Sequence, residues 1–361
     1  MTASTVQAPP AAPKVSLLRI YWFSAAVTLL CWGAVLLGAG PGALLTAIIL
    51  TLLEVTFSFD NAVVNSKLIV RMSPAWQKAF MTVGIFIAVF VVRFALPILI
   101  VQLAAGLGFT EVLRLAIDDP DVYAHHLEEA APMIDAFGGT FLLMIGIGYF
   151  LDTEKDVHWI GWLEKRLAPL GRFDNITIAV MVAAAITAYF TVDPEHRAVV
   201  FVAAIIGVLL HVLLDMFGAA FEDPEQGDKD KTSATVLVGS AAAIMFLRLE
   251  ILDASFSFDG VIGAFAITTS VLVIMAGLGA GAMWVRSMTV HLVRAGTLAK
   301  YRYLEHGAHW AILFLGAVML LKLYHVHLPE WLIGSLGIVF IGLSVGTSVM
   351  QERRAMAVAQ P

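Results

Sequence analysis

Charge is what this chain has least of. Lys, Arg, Asp and Glu make up 14% of its 361 residues, where soluble domains carry about 25%. That excludes an ordinary water-soluble globule. Cysteine is nearly absent: Cys31 stands alone, so neither an internal disulfide nor a thiolate metal cluster can form. It sits in an apolar run and reads as a small core residue. Acidic residues outnumber basic ones, the net charge is −6, and no Lys/Arg cluster marks a nucleic-acid surface. The apolar runs are continuous rather than alternating, which argues against a β-barrel. No Ser/His/Asp set, nucleotide loop or HExxH lies within them, so an enzyme is the least favoured class.

What is present instead is apolar sequence in long blocks. Hydrophobic residues make up 60% of the chain and the mean hydropathy is +0.87. A helix crosses a bilayer with about 20 apolar residues. Blocks of that kind fall at roughly 16–40, 43–70, 77–105, 133–151, 175–192, 197–221, 235–267, 270–292, 307–321 and 331–350. The expected fold class is all-α, a polytopic membrane helical bundle of about ten spans. Residues 1–16 read as a flexible Ala/Pro/Thr-rich tail, 17–350 as a single membrane domain, and 351–361 as a cytosolic tail. Lys14 and Arg19 precede a first block too long for a signal peptide's apolar region, so it reads as a retained helix. Gly40-Pro41-Gly42 reads as a turn.

Loop charge orients the spans. With the N-terminus in the cytosol, sixteen Lys and Arg residues, Arg286 among them, fall in inner segments and only Arg114, Arg197 and Lys322 in outer ones. This positive-inside bias expects both termini on the cytosolic side. The outer segment 106–132 carries Glu111, Asp118, Asp119, Asp121, Glu128 and Glu129. It reads as a solvated loop, or as an attractor for divalent cations.

One pattern occurs twice. Glu54-Val-Thr-Phe-Ser-Phe-Asp60-Asn61 and Asp253-Ala-Ser-Phe-Ser-Phe-Asp259-Gly260 coincide when the sequence is shifted by 199 positions. Both lie in apolar blocks, where a carboxylate costs about 2.5–3.5 kcal/mol to insert. Five crossings separate the copies, so they run in opposite directions, as in inverted-topology repeats with a midplane site. Asp135 and Glu305 each open a later span and are each followed eleven residues on by a glycine, Gly146 or Gly316. That suggests repeat A over about 43–152 and repeat B over about 235–322, with the first and last spans peripheral.

On a straight helix, Glu54, Ser58, Asn61 and Asn65 share one face, with Asp60 and Thr56 about 120° away. In the second copy Glu250, Asp253 and Ser257 share a face, and Asp259 sits with Ser255. A helix broken at Phe-Ser-Phe would instead gather the carboxylates and free carbonyl ligands. The block 235–267 spans about 50 Å as a straight helix, which favours a break or steep tilt there. All polar groups of both copies bear oxygen, the ligand set of Mg²⁺, Ca²⁺ and Mn²⁺. Four carboxylates exceed a +2 ion, which raises proton exchange as a coupling route.

The duplicated pattern resembles the TerC family of integral membrane proteins, within the LysE-type transporter superfamily, over most of residues 43–322. The resemblance implies metal efflux through a bacterial inner membrane, manganese above all, and an association with tellurite resistance. It implies Glu54, Asp60, Asp253 and Asp259 as metal-binding carboxylates, with the divalent cation as substrate and no prosthetic group. This chain departs in having Gly260 where the first copy has Asn61, and in its longer acidic outer segment. Alternative readings are an exporter of amino acids or similar solutes, needing Arg93 or Arg248 to hold a carboxylate, and a membrane scaffold.

Other residues carry two readings each. His211 and Asp215, one turn apart, read as a helix-tying pair or a proton relay. Arg93 and Arg248 lie within spans and are candidate partners of the motif carboxylates. Glu305, His306 and His309 read as a helix-start cluster or an inner-mouth metal contact. His325 and His327 flank an outer turn. Gly277, Gly279 and Gly281, like Gly138 and Gly139, read as packing faces, and the Met residues as core filling.

Overall fold

The computed structural model describes residues 16–359 apart from 154, 156, 174, 222–235, 266, 269, 297–299 and 327. Almost all of them are helical, and among the described residues no strand forms beyond one isolated bridge, Met72 to Leu237. Seven helices are long and apolar enough to cross a membrane, or eight if the bent pair Gly161–Arg172 and Ile176–Thr191 is one span. The chain is therefore a multi-pass helical protein of the bilayer.

Helix α1 (Leu17–Phe57) is 41 residues long and turns at Gly40, whose φ of 85° suits glycine. Pro41 then opens the second arm, where its missing N–H costs nothing. The expected turn is thus a break between two helical arms. A second, milder break at Ser58 (φ −96°, ψ 16°) separates α1 from α2 (Phe59–Val70). Short α3 (Pro74–Ala79) passes through π-helical turns at Phe80–Gly84 and Ile87–Ala95 into α4 (Leu96–Ala105).

The acidic segment after it is not a loop. It forms α5 (Phe109–Asp118) and α6 (Pro120–Glu129). Val112, Ala116, Tyr123 and Leu127 are buried in the main core beside Leu50 and Phe265, while all six acidic residues stay exposed. The spacing of those apolar residues makes each helix amphipathic, which is why they dock.

There follow α7 (Ala131–Leu151), α8 (Gly161–Leu167), α9 (Ile176–Thr191), α10 (Arg197–Phe221), α11 (Gly239–Phe265), α12 (Val271–Arg294), α13 (Leu304–Lys322) and α14 (Glu330–Ala359). The last helix runs on through residues 351–359, where the sequence predicts a tail. The glycine faces pack helices closely. A Cβ on Gly281 would meet Glu54 Cβ at 2.5 Å, and one on Gly277 would meet Leu50 Cβ at 2.7 Å. Gly139 and Gly316 face each other in the same way across α7 and α13. Such contacts let membrane helices gain dispersion energy without a hydrophobic drive.

Backbone bonds tie the end of α2 to the start of α11: Leu237 N–H donates to Arg71 C=O (2.7 Å) and Ser73 N–H to Leu237 C=O (3.0 Å). The C-terminal end of one motif helix and the N-terminal end of the other therefore lie on one face. Lys67 pairs with Glu305 near the same face, at the start of α13. The ends of α11 and α13 and the start of α14 lie opposite.

Candidate functional site

The site is built on α1, α2 and α11. At Ser58 the helical bonds persist on both sides, Ser58 N–H to Glu54 C=O (2.9 Å) and Ala62 N–H to Ser58 C=O (3.2 Å). The chain kinks there but does not unwind, and those two carbonyls are not freed as ligands. The kink suffices to bring Glu54, Ser58 and Asp60 to one cavity of about 60 Å³. The second motif runs inside unbroken α11, so of the break or steep tilt that its length favours, no break occurs. Its 27 residues span about 40 Å, which a tilt accommodates.

The carboxylates differ sharply in their partners. Glu54 pairs through Oε1 with Arg93 Nη2, both about 4% exposed, and accepts a bond from Ser58 Oγ (3.0 Å). Arg93 also donates to Ala88 C=O (2.7 Å). Glu250 and Asp253 share Arg286, whose Nη2 lies 3.0 Å from Glu250 Oε2 and 3.4 Å from Asp253 Oδ2. Arg286 is 2% exposed, donates to Phe80 C=O (3.0 Å) and lies over the Phe80 ring at 4.0 Å. Both guanidiniums thus use carbonyls from the π-helical turns, whose wider winding is frequent at functional sites. Gly84 lies against the second pair, since a Cβ there would stand 2.4 Å from Arg286 Nη1.

Asp60 is the exception. It is 7% exposed, and among the described residues no basic side chain reaches it. Its Oδ1 accepts the Asn61 N–H (2.9 Å), and its Oδ2 faces the cavity beside Gly337 of α14. Asn61 Nδ2 donates to Asp253 Oδ1 at 3.5 Å, joining the two motif copies. Asn61 Oδ1, Asn65 Oδ1 and Ser257 Oγ are buried without a hydrogen-bond partner, and so are the donors Arg93 Nε and Arg286 Nε. The Asp259 backbone belongs to α11, and its side chain lies outside the described residues. Among the described residues no three His, Cys, Asp or Glu side chains stand together as a ready metal cluster.

Three sequence readings change. Arg286, which loop charge assigns to the inner segments, is a buried member of α12; its place inside the apolar block 270–292 is the signal for that. Arg248 reaches no motif carboxylate and instead bonds Asp215 (2.7 Å), which in turn bonds His211 (3.0 Å). His211 and Asp215 pair within α10, and Arg248 ties that pair to α11. The last span is not peripheral, because Ile333 and Gly337 of α14 line the cavity.

The remaining candidates stand apart from it. Asp135 is buried in α7, away from Glu305. Glu305 pairs with Lys67, His306 bonds Val157 C=O (2.8 Å), and His309 bonds Glu305 C=O (2.8 Å). His325 bonds Asp193 (2.8 Å), and His327 lies outside the described residues.

A family profile described as "protein of unknown function (DUF475)" matches residues 59–355. The chain belongs to the DUF475 family. The match takes in Asp60, α11 and Gly337. No curated protein and no solved structure is found to match it.

Proposed function

We propose that this DUF475 protein carries divalent metal cations, manganese foremost, out across a bacterial inner membrane, through a midplane site of oxygen ligands shared by two inverted repeats. The observation that carries the reading is Asp60: a buried carboxylate without a basic partner, sharing a cavity with Glu54 and Ser58. A buried charge is normally paired or holds a cation.

The charge balance agrees. Glu54, Asp60, Glu250 and Asp253 contribute −4, and Arg93 and Arg286 contribute +2, leaving −2 among the described side chains. That matches one M²⁺ ion. When the ion leaves, protons from water are the available replacement, so proton exchange is the coupling we propose. The repeat reading draws support from the backbone bonds at Leu237, which join the C-terminal end of α2 to the N-terminal end of α11, as opposite directions through the membrane would require. It also draws support from the arginines: Glu54 and Asp253 occupy equivalent motif positions, and each is paired by an arginine from the span that follows. Ten spans, with both termini cytosolic and α1 counted as two, fit the loop charges. The TerC resemblance belongs to the same proposal.

An amino-acid exporter is less well supported. Arg93 is engaged by Glu54 and Arg248 by Asp215.

The test is Mn²⁺ entry into liposomes loaded with a Mn²⁺-quenched dye, with pH followed inside. Wild type should quench the dye and move protons the other way. Asp60→Asn should insert normally and quench at background. An Asp60→Asn chain that transports at the wild-type rate sinks the assignment.

A further inference from the structure

Among the described residues that line the cavity, the polar ones are Glu54, Ser58 and Asp60. Each of the two carboxylates turns one oxygen toward a glycine on another helix. A Cβ built on Gly260 of α11 would stand 3.5 Å from Glu54 Oε2. One built on Gly337 of α14 would stand 3.6 Å from Asp60 Oδ2. These are ordinary contact distances, so a methyl group would fit at either place without moving a neighbour. Neither glycine has a positive φ. Both lie inside long helices, where glycine is less favourable than alanine by roughly 0.5–1 kcal/mol. Packing does not require glycine here, unlike Gly281 or Gly84, where a Cβ would collide at 2.4–2.5 Å.

What the two glycines preserve is open space directly before two carboxylate oxygens. A hard divalent ion sits about 2.0–2.6 Å from such an oxygen and completes six to eight ligands with water. The described cavity supplies few further protein ligands, since its other walls are apolar. Waters must therefore fill the remaining positions, and they need the volume that a methyl would take. We infer that Gly260 and Gly337 determine specificity: they keep the site wide enough for a divalent cation that retains part of its water shell. This rests on the cation reading and adds the hydration state of the substrate to it. It also accounts for Gly260 standing where the first motif copy has Asn61.

The full chain, purified in detergent, is titrated with Mn²⁺ and separately with Ca²⁺ by calorimetry, and its thermal midpoint is recorded without metal. Gly260→Ala and Gly337→Ala should each keep or raise the midpoint. Each should weaken Mn²⁺ binding by roughly tenfold and Ca²⁺, with its larger coordination number, by more. Gly337→Ser adds the same bulk with one oxygen, and should recover much of the Mn²⁺ affinity lost in Gly337→Ala. Gly342→Ala on the same helix, with open space before it, should leave binding unchanged. Wild-type affinity in both alanine variants would overturn the inference alone. A wild type with no saturable binding, or with binding that survives Asp60→Asn, would overturn the cation reading as well. If an alanine variant loses its midpoint, the comparison of Gly337→Ser with wild type decides: a serine variant that is stable and binds no better than Asp60→Asn counts against the inference.

Discussion

At the residue scale, the site is a problem in charge compensation. Arg93 and Arg286 are buried against carboxylates in a medium where an orphaned charge is costly. Removing one partner of such a pair costs about 3–5 kcal/mol, whereas replacing both is often close to neutral. Arg93→Met should therefore lower the stability of the purified chain by about that amount, and Glu54→Gln/Arg93→Met should return most of it. Thermal or denaturant unfolding in detergent measures both. Equal losses in the single and double variants would mean that Arg93 acts through its packing and its bond to Ala88 C=O rather than through Glu54. The motif carboxylates were legible in the sequence because a duplicated acidic pattern in apolar surroundings has few bland explanations. Their partners were not. An arginine in a membrane block can snorkel outward, as Arg248 does toward Asp215, or point inward, as Arg286 does, and spacing alone does not choose.

At the element scale, the irregular stretches do more for the site than the regular ones. The kink at Ser58 turns Asp60 into the cavity that Glu54 lines, and the π-helical turns of Phe80–Gly84 and Ile87–Ala95 offer carbonyls to both guanidiniums. Gly84 is where this arrangement is tightest. Gly84→Ala places a methyl on both Arg286 Nη1 and Glu250 Oε1, so the pair must part or the helix must move. The expected loss is about 1–3 kcal/mol, the range for overpacking, while Gly148→Ala, with open space before it, should be neutral. Matching midpoints in the two variants would show that the Arg286 pair relaxes freely. Hydropathy located these helices but not their winding. A π turn differs from an α turn by one residue of register, and that is decided by what its carbonyls can bond. The amphipathic spacing in Phe109–Asp118 and Pro120–Glu129 was readable and was masked by their exposed acids.

At the scale of the whole molecule, the cavity and the ion pair between Lys67 and Glu305 lie on opposite sides of Asp60. Ile267 and Ile333, near the end of α11 and the start of α14, line the cavity. Lys67 lies seven residues beyond Asp60 on α2, the same face two turns on. It meets Glu305, six residues before the cavity-lining Ala311 on antiparallel α13. Val63, Val64, Ala308 and Ile312 fill the seam between. The cavity lies on one side of Asp60 and the packed seam on the other, and under the proposed function that corresponds to one state of alternating access. The pair is about one-third exposed, so it contributes at most about 1 kcal/mol to closure. Lys67→Met should accordingly raise the opening of the seam by up to about fivefold, not abolish closure. A cysteine at Ala308, in a Cys31→Ser background that leaves no other thiol, reports this through its rate of labelling by an impermeant maleimide applied from the Lys67 face. A labelling rate unchanged by Lys67→Met would assign closure to the apolar seam alone. Acceleration that added Mn²⁺ suppresses would tie the seam to occupancy at Asp60.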